Sequence, residues 1–509
     1  MKKKHLALIS LYVIENNGPR LIAALLRNHG YPVTEIYFKD LINNKIVYPT
    51  KKELKSLVDL LKKINPDIIG ISVRASAYHE IAGKITSLFK RELNLPIIWG
   101  GMHATVCPEE SLKYADIVSI GEAELAMLDL MRHYSQKEDI TTTPNFWFKT
   151  KGGIKKNEIR PLLEDLDALP FRDYVSQDKY LIKGHQVKQG EPIRHYREFF
   201  ISASRGCPFR PCSFCSNSQL EKVFKGKGRY YRIRSVDNVI EELRQAKKTF
   251  KRLKRIRFDD EVFNFSKNWM REFARQYAQL IKLPFEILLD PRAINEENLR
   301  LLKEAGLKTV NLGIQNTERI NKSLYNRNTT NQEVLRAARA IHNLNLAVHY
   351  HLLFDDPVSN TRDKSDLFQL LLRIPRPYDL YLFSLIYFPR SALTERLLKE
   401  NLITENEVEI NNQKVLRQWR VDLSYPRPPE DRFWLSLIVL LSKNFVPLSF
   451  IRWLSRRKFL MSHPSGLVYF AQFSNLIKMA GVVLAQIIKG EMTWIKFKEW
   501  ANLRSLITQ

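Results

Sequence analysis

Three cysteines lie within nine consecutive positions, at Cys207, Cys212 and Cys215, in a chain of 509 residues that has four cysteines in all. Thiolates grouped on one loop are soft ligands, typical of zinc sites and of iron–sulfur clusters. Three thiolates on a [4Fe–4S] cube leave one iron without a protein ligand, open to a substrate or cofactor. The spacing therefore predicts a metal centre with an open coordination position.

Two other interpretations of the cysteines are weaker. A structural zinc site takes four ligands, usually as two close pairs, and no second pair follows Cys215. A disulfide framework belongs to secreted chains with more cysteines than these. Cys107 stands alone beside Pro108 after a predicted strand, so we expect a buried structural cysteine there rather than a second catalytic thiol.

Composition limits the partners that the chain can have. There are 81 Lys and Arg against 54 Asp and Glu, a formal net charge of +27, which suits nucleic acid, anionic membranes or anionic cofactors. We find no signal peptide and no run of about 18 uncharged apolar residues, so a membrane-spanning helix is not expected. The predicted location is the cytoplasm, with peripheral contact at a membrane surface as a further hypothesis.

Residues 1–140 alternate between short apolar runs and amphipathic segments, which predicts a doubly wound, Rossmann-like α/β domain. The predicted strands are Leu6–Leu11, Val33–Phe38, Asp67–Val73, Pro96–Trp99 and Asp116–Ile120. Glycines follow two of the strands, at Gly100, Gly101 and Gly121. They either allow a bulky ligand to approach the backbone or are ordinary turns. The dinucleotide fingerprint G-x-G-x-x-G is absent, which argues against a nicotinamide or flavin dinucleotide.

Residues 141–195 are predicted to be a linker, residues 196–395 a partial (β/α)6 barrel of the TIM type, and residues 396–509 a mainly helical region. The six barrel strands are predicted at Phe199–Ala203, Arg255–Phe258, Phe285–Leu289, Thr309–Leu312, Val348–Phe354 and Leu380–Ile386. Active sites of such barrels lie at the C-terminal ends of the strands.

Polar side chains follow most of these strands. The cysteine loop comes after the first strand, and the ends of the next three carry Asp259, Asp260 and Glu261, then Asp290 and Arg292, then Gln315. Each acidic residue taken singly fits a helix N-cap. Their convergence on the rim that carries three cysteines favours an active site.

Both halves of the chain resemble one family. The segments Asn65–Val73, Trp99–Thr105 and Asp116–Glu124 look like the cobalamin-binding domain of B12-dependent radical SAM proteins, and the cysteine loop with its neighbours is similar to their radical SAM barrel. Two departures stand out. The cysteines are spaced C-x4-C-x2-C instead of C-x3-C-x2-C, and the D-x-H-x-x-G cobalt-ligand motif is missing.

The resemblance implies three cofactors and a set of residues for each. Cys207, Cys212 and Cys215 would hold a [4Fe–4S] cluster. The residues implied for S-adenosylmethionine are Phe214, Asp259, Asp260, Glu261, Arg292 and Gln315. Those implied for cobalamin are Asn17, Gly18, Ser72, Val73, Arg74, Gly100, Gly101, His103, Gly121 and Glu122, although a surface or tail-phosphate arginine is the favoured explanation of Arg74.

The activity implied by the resemblance is methylation of an unactivated carbon, through a 5′-deoxyadenosyl radical and methylcobalamin. A cyclase, a ring-rearranging enzyme or a lipid C–C bond-forming enzyme remains the alternative. A tRNA-modifying enzyme is disfavoured because it would need three more N-terminal cysteines, so nucleic acid is not expected as a partner. A flavodoxin- or ferredoxin-type electron donor is expected. The substrate, whether small molecule, peptide or lipid, stays open, and no catalytic acid or base is nominated.

The C-terminal region carries one further pattern. Trp453 and Phe459 alternate with the basic residues Arg452, Arg456, Arg457 and Lys458. A helical cap on the barrel explains the pattern. An interfacial surface, with the rings inserted and the cations at anionic headgroups, explains it as well and would fit a lipid substrate.

Overall fold

The computed structural model describes residues 2–39, 48–184, 186–418, 423 and 426–488. The chain divides into two compact units. The first comprises residues 1–310, 324–327 and 386–419, and the second comprises residues 311–323, 328–385 and 420–509.

The N-terminal part of the first unit is built on a sheet of nine strands in the order β7-β6-β5-β4-β3-β1-β2-β8-β9. The strands are β1 (Leu6–Leu11), β2 (Val33–Phe38), β3 (Ile68–Ser72), β4 (Ile97–Gly100), β5 (Ile117–Ser119), β6 (Phe146–Thr150), β7 (Gly153–Lys156), β8 (Lys179–Lys183) and β9 (Gln186–Gln189). Strands β1 to β5 pair in parallel and are almost fully buried, as expected of a sheet covered on both faces.

Among the residues that the structure describes, six α-helices connect and flank these strands. They are α1 (Asn17–Asn28), α2 (Lys51–Ile64), α3 (His79–Glu92), α4 (Met102–Val106), α5 (Pro108–Ser111) and α6 (Glu124–Gln136). Helix α2 shows how local sequence sets a boundary: Thr50 and Glu53 form a reciprocal capping box at its start, and Asn65 ends it in the left-handed conformation. The doubly wound domain predicted from the sequence is confirmed.

Strands β6 to β9 fall within residues 141–195, where the sequence analysis anticipated no regular structure. The β6–β7 hairpin extends the sheet beyond β5, and β8 with β9 extends the opposite edge beyond β2. The chain therefore crosses the sheet from one edge to the other before it enters the barrel. Arg20 of α1 is fully buried against this segment and pairs with Glu191 at 2.8 Å.

The second sheet has six strands, in the order β10-β13-β14-β15-β16-β17. They are β10 (Glu198–Ile201), β13 (Arg255–Phe258), β14 (Phe285–Leu289), β15 (Leu307–Gln315), β16 (Ala347–Phe354) and β17 (Asp379–Ser384), while β11 (Ser204–Arg205) and β12 (Arg232–Ile233) form a separate short ribbon. The partial barrel predicted from the sequence is confirmed, with strand ends displaced by up to three residues.

Helices of the first unit in this part are α7 (Ser216–Val223), α8 (Val236–Thr249), α9 (Lys267–Gln276), α10 (Glu296–Ala305), α14 (Ala392–Lys399) and α15 (Glu405–Gln418). Helix α10 begins as predicted, because the Asn295 side chain accepts a hydrogen bond from the Asn298 backbone at 3.0 Å. It ends at Gly306, whose φ is +123°.

The second unit contains α11 (Glu318–Ser323), α12 (Asn331–Asn343), α13 (Thr361–Leu372), α16 (Pro429–Leu441), α17 (Leu448–Ser455), α18 (Lys458–Ser462) and α19 (Ser465–Ile488). Helix α16 begins with a charged turn and is then buried at every position from Phe433 to Leu441. Within α19, the segment Ser465–Ala485 is long and apolar enough to cross a membrane by length and composition, a feature that the sequence analysis did not anticipate.

Candidate active site

The three clustered cysteines lie on the loop between β11 and α7, and each thiol is half-buried. Gly206 opens the loop with a φ of +83°, and a Cβ there would stand 2.6 Å from the Tyr230 carbonyl oxygen. Only glycine allows the chain to pass so close to the neighbouring backbone. Cys215 is the N-cap residue of α7, and its amide bonds to the Cys212 carbonyl at 3.0 Å.

Segment Leu324–Arg327 holds this loop from the side. The Ser213 amide donates to the Tyr325 carbonyl at 2.9 Å, and the Ser213 hydroxyl donates to the Leu324 carbonyl at 2.8 Å. The Phe214 ring meets the Tyr325 ring edge-on, with centroids 5.0 Å apart. The aromatic residue before the last cysteine is therefore fixed by packing.

Two guanidinium groups lie beside the cysteines and share one buried carboxylate. Arg327 donates to the Cys212 sulfur at 3.5 Å and pairs with Asp290 at 2.7 Å, and Arg292 pairs with Asp290 at 2.8 Å. Burial acts to raise the pKa of Asp290, but the hydrogen bonds from Arg292 and the charge of Arg327 bring it below the ordinary value. Arg292 also lies flat on the Phe209 ring, 4.1 Å from its centroid. The loop therefore has positive charge on one flank.

The three carboxylates after β13 point to different partners. Asp260 is 2% exposed and accepts hydrogen bonds from the Ala203 amide at 3.1 Å and from the Ser204 hydroxyl. Burial raises the pKa of Asp260 to about 6 against the effect of these bonds. Asp259 pairs with Arg257 at 3.0 Å. Asp260 therefore ties β10 to β13.

Glu261 faces the cysteine loop. Its charge acts to raise the pKa of Cys207 and of Cys215, and its own pKa is raised by burial against the effect of a hydrogen bond with Asn217. The Glu261 side chain is exposed to solvent. Asn217, near Glu261, donates to the Cys215 sulfur at 3.4 Å and accepts a bond from the Tyr230 hydroxyl.

The thiols themselves fit a metal centre. Burial raises the pKa of Cys207 to about 11 and that of Cys215 to about 12, so both carry protons until a metal ion displaces them. Three sulfur ligands on one loop, with N–H donors from Arg327 and Asn217 directed at two of the sulfurs, match the donor set and the outer hydrogen bonds of an iron–sulfur cluster.

The carboxyl edge of the first sheet is the second part of the site. Ser72 ends β3 there, and its hydroxyl accepts a hydrogen bond from the Asn16 side chain at 3.0 Å. Gly101 has a φ of +94°, and a Cβ at this position would stand 2.9 Å from the carbonyl oxygen of buried Val73. The close approach of the Val73 backbone thus requires a glycine at position 101, whereas Gly100 has more space around it.

Contacts join this edge to the cysteine loop inside the first unit. Glu122 pairs with Arg205 at 3.0 Å and also with Arg232, and both arginines belong to the β11–β12 ribbon next to the cysteines. A Cβ on Gly121, whose φ is +76°, would lie 2.7 Å from the Phe224 ring just past α7. Glu122 and Gly121, which were predicted to contact cobalamin, thus contact the barrel portion of the chain.

Asn17 and Gly18, also predicted to contact cobalamin, line a cavity of about 180 Å³ within the first unit. Its wall is strongly charged: Arg172 and Arg234 both pair with Glu242, at 2.9 and 2.7 Å, and Arg172 also donates to the Asn17 side chain.

The remaining two residues predicted to contact cobalamin differ in exposure. Arg74 is exposed at the carboxyl edge, and its charge reaches Asp259, where it acts to lower a pKa that burial raises. His103 is 1% exposed, and burial lowers its pKa to about 3. A histidine so enclosed presents no surface to a large ligand.

Gln315 lies in the second unit, at the end of β15, with a φ of +67°. Asn321 fixes this strand end by donating to the Ile314 carbonyl at 3.0 Å and to the Asn316 carbonyl at 2.8 Å. The strained backbone at Gln315 is held by its own unit.

Several residues beside the cysteines were not predicted to belong to the site. Arg327 and Arg205 were missed because their partners are distant in sequence, and Asn217 and Tyr230, whose partners are closer, were missed as well. The available signal for Arg327 was its place in the segment Leu324-Tyr-Asn-Arg327, which the sequence analysis did not assign to a cofactor.

Two protein families match the chain. The Radical SAM superfamily matches residues 201–363, and the B12 binding domain matches residues 6–131. The two families imply a [4Fe–4S] cluster, S-adenosylmethionine and cobalamin as cofactors, and enzymes of the first family work on a bound substrate with a supply of electrons.

Two curated relatives and one solved structure illustrate the likeness. An uncharacterised methyltransferase of Pyrococcus horikoshii is 29% identical over 267 residues, or 51% of this chain and 54% of the relative. The anaerobic magnesium-protoporphyrin IX monomethyl ester cyclase of Cereibacter sphaeroides is 22% identical over 62% of this chain and 50% of the relative. The chain thus spans about half the length of these relatives.

The solved structure is the radical S-adenosylmethionine methyltransferase TsrM of Kitasatospora setae, with cobalamin and a [4Fe–4S] cluster bound. It covers 93% of this chain and 100% of its own with a TM-score of 0.63 and 14% identity. At this identity the likeness establishes the fold.

Proposed function

We propose that this chain, a radical SAM protein with an N-terminal B12-binding domain, is a cobalamin-dependent enzyme that methylates an unactivated carbon. The observation that carries the proposal is the connection between the two halves of the site. Glu122 and Gly121, at the carboxyl edge of the first sheet, contact Arg205, Arg232 and Phe224 around the cysteine loop. A cofactor bound at that edge would lie beside the three cysteines.

Each group of residues has a distinct task in this proposal. Cys207, Cys212 and Cys215 hold the cluster, while Arg327 and Asn217 donate hydrogen bonds to its sulfur ligands and so moderate its negative charge. When bound, the cluster, S-adenosylmethionine and cobalamin together supply radical formation and the methyl group.

We assign the S-adenosylmethionine contacts more narrowly than the sequence does. Glu261, which faces the cysteines, would take the cationic amino group. Arg292 is aligned by Asp290 and Phe209, and its remaining N–H groups would take the carboxylate. Asp260 is already engaged with Ala203 and Ser204, so its proposed role is to position the loop.

The first experiment is anaerobic reconstitution with iron, sulfide and cobalamin, followed by incubation with S-adenosylmethionine and a strong reductant. We expect four irons and one cobalamin per chain, together with 5′-deoxyadenosine detected by mass spectrometry. Cys212→Ala should lose the iron. Cys107→Ala is the matched control for iron content, because it removes the cysteine outside the triad. Loss of iron in both variants, or in neither, would contradict the assignment of the triad.

A second candidate function is favoured by the likeness to the magnesium-protoporphyrin IX monomethyl ester cyclase, whose name denotes a cyclisation and not a methyl transfer. The same cofactors would then serve cyclisation or ring rearrangement without methyl transfer. S-adenosylmethionine with a deuterated methyl group separates the two: the label appears in the product of a methyltransferase and is absent from that of a cyclase.

We propose a flavodoxin- or ferredoxin-type protein as the electron donor. Such a donor with an acidic surface would be attracted by a chain of net charge +27, and the association should weaken as salt is raised. Cross-linking of the reconstituted enzyme to flavodoxin at low and high salt tests this directly, and equal yields at both salt concentrations would contradict it.

We further propose that the second unit docks on an anionic membrane through helices α17, α18 and α19. Trp453 is 50% exposed, Phe459 72% and Phe473 59%, so large rings stand in solvent on all three helices. Leu467, Val468 and Ala471 of α19 are buried instead, which leaves a separate apolar stripe facing outward. The outward residues of α19 include Tyr469, Phe473, Leu476, Leu484, Ile487 and Ile488.

Positive charge surrounds these rings. Arg452, Arg456, Arg457 and Lys458 are all exposed, and the Arg457 guanidinium lies 4.2 Å from the centre of the Trp453 ring. Anionic headgroups would meet the cations while the rings enter the interface. Lys478 of α19 pairs with Asp379 of β17. This ion pair holds the middle of the helix against its own unit, which favours a helix that lies along the membrane surface over one that spans the membrane. A lipid-soluble substrate fits this location.

Flotation with anionic and with zwitterionic vesicles tests the docking. The intact chain should float with anionic vesicles and be released by high salt. Phe459→Ser should weaken flotation, whereas Leu280→Ser, an exposed apolar residue of the first unit, should not. Retention after alkaline carbonate extraction would indicate a spanning helix instead. A concentration-dependent dimer that is lost in Phe459→Ser, without flotation, would show that a second copy covers the surface.

A further inference from the structure

Three potential metal ligands outside the cysteine loop converge after β4. Helices α4 and α5 follow Gly101 in direct succession, and they bring His103, Cys107 and Glu110 together so that one ligand atom of each lies within 4.8 Å of the others. The Cys107 amide bonds to the His103 carbonyl at 2.8 Å, so the two side chains stand one helical turn apart on the same face. Glu110 begins the next turn.

His103 supplies an independent sign of a missing partner. Its side chain is 1% exposed, and its Nε2 atom is buried without a hydrogen bond to any residue that the structure describes. The other ring nitrogen, Nδ1, lies 3.2 Å from the Ser76 hydroxyl, which can accept its proton. When Nδ1 donates its proton to Ser76, Nε2 is the lone-pair nitrogen, and Nε2 lies 3.9 Å from a Glu110 oxygen, on the side of the cluster. A buried nitrogen without a partner is costly unless something fills the position.

His79 completes the surroundings. Its ring stacks on that of His103 with centroids 5.1 Å apart, and its Nδ1 lies 2.7 Å from the Ser76 carbonyl oxygen. The Nε2 atom of His79 lies 3.4 Å from the second oxygen of Glu110. The Glu110 carboxylate therefore stands between two histidines, with one oxygen toward each.

We propose that His103, Cys107 and Glu110 bind a divalent transition-metal ion of the zinc type. A nitrogen, a sulfur and an oxygen ligand form the mixed set that zinc accepts, and three protein ligands leave a fourth position for water or for His79. Zinc bonds of about 2.0 to 2.3 Å would place the ligand atoms roughly 3.3 to 3.8 Å apart. The cluster needs only a small inward movement to reach that size, and Glu110, whose side chain is 41% exposed, can make it.

The site differs from the cysteine triad in composition. Its ligands include Cys107, which is the cysteine outside the triad, and His103, which was predicted to contact cobalamin. The thiolate of Cys107 and the carboxylate of Glu110 together would balance the charge of a divalent ion. A site of this kind would fix the turn after Gly101 at the carboxyl edge of the sheet.

Cysteine protection in the wild-type chain is the first test. The full chain, with cluster and cobalamin loaded, is treated with iodoacetamide with and without zinc, and each of the four cysteines is followed in its own peptide by mass spectrometry. Zinc should slow the alkylation of Cys107 about tenfold or more and leave the triad unchanged. Equal alkylation of Cys107 with and without zinc would overturn the proposal without any variant.

Cobalt(II) as a spectroscopic probe provides the second test. The loaded chain should gain a thiolate-to-cobalt absorption band at one equivalent, and Cys107→Ser and His103→Gln should abolish it. His5→Gln, which changes a half-buried histidine bound to Thr34 elsewhere in the domain, should keep it. Iron and cobalamin contents report whether each variant is folded. A band that survives in Cys107→Ser would place the metal elsewhere and overturn the proposal.

Discussion

Arg327 offers the sharpest test of the cluster environment. Its guanidinium donates to the Cys212 sulfur at 3.5 Å and is held by Asp290, which is 2% exposed. Arg327→Gln keeps an N–H donor on a shorter side chain but removes the positive charge. Because the reduced cluster carries one more negative charge than the oxidised cluster, the substitution should make reduction harder and shift the midpoint potential to more negative values.

The size of the shift follows from the distance. Unit charges about 5 Å apart, a typical separation between this guanidinium and delocalised cluster charge, interact by ~3 kcal/mol at an effective dielectric constant of about 20. The glutamine dipole and water would recover roughly half, which leaves ~1.5 kcal/mol. For a one-electron couple this corresponds to a shift of about 60 mV.

Potentiometric titration followed by electron paramagnetic resonance measures the shift in the reconstituted chain. Arg210→Gln is the matched control, since Arg210 lies exposed on the same loop and solvent screens its charge. Equal shifts in the two variants, or an unchanged potential in Arg327→Gln at full iron content, would refute the assignment of Arg327 to the cluster.

Three further outcomes can be measured by unfolding. Gly121→Ala should lower the free energy of unfolding by about 2–4 kcal/mol, because it forces a left-handed residue against the neighbouring aromatic ring, whereas Gly481→Ala, in open space on α19, should not destabilise. Burial raises the pKa of Asp260 to about 6 from an ordinary 3.8. Its contribution to the free energy of unfolding is therefore fully present below pH 4, and up to ~3 kcal/mol of that free energy is lost as the pH rises through 6. Asp260→Asn should flatten this part of the dependence of stability on pH. Arg20→Met should lower the free energy of unfolding by about 1.5–3 kcal/mol, because the buried Glu191 loses its bidentate partner but keeps its ion pair with Lys179, and an unchanged denaturation midpoint would contradict this.

Much of the fold is encoded locally and was predictable for that reason. Strands Leu6–Leu11 and Arg255–Phe258 have the predicted bounds, and the Asn295 cap of α10 is where the sequence placed it. Apolar runs and caps act over a few residues, so their pattern can be read without knowing their partners.

Two of the four strands of residues 141–195 lack such a pattern. Gly153–Lys156 and Gln186–Gln189 are exposed at every position, so no alternation of apolar and polar residues distinguishes them from a loop. Edge strands of this kind are defined by their hydrogen-bonding partners. Sequence reasoning does not supply those partners.

The candidate site divides in the same way. The cysteine triad was predicted because its ligands are close in sequence. Residues that complete its surroundings, such as Arg327 and Glu122, depend on contacts between segments far apart in the chain. The sequence left open whether Gly101 and Gly121 make room for a ligand or form ordinary turns, and in the structure backbone and ring atoms of the protein lie where their side chains would be.

The segment of residues 141–195, which crosses the first sheet from one edge to the other, also sets an order of events during synthesis. Helix α1 leaves the ribosome early with Arg20, yet its buried partner Glu191 is translated about 170 residues later. Until then the arginine must remain hydrated, while β5 and β2 gain their outer neighbours β6 and β8 only as residues 146–183 are translated. The sheet can therefore reach its final form only after the chain has passed residue 191, when the cysteine loop is about to be made. A nascent chain arrested before that point should be cleaved readily by protease, and one arrested well after it should be protected.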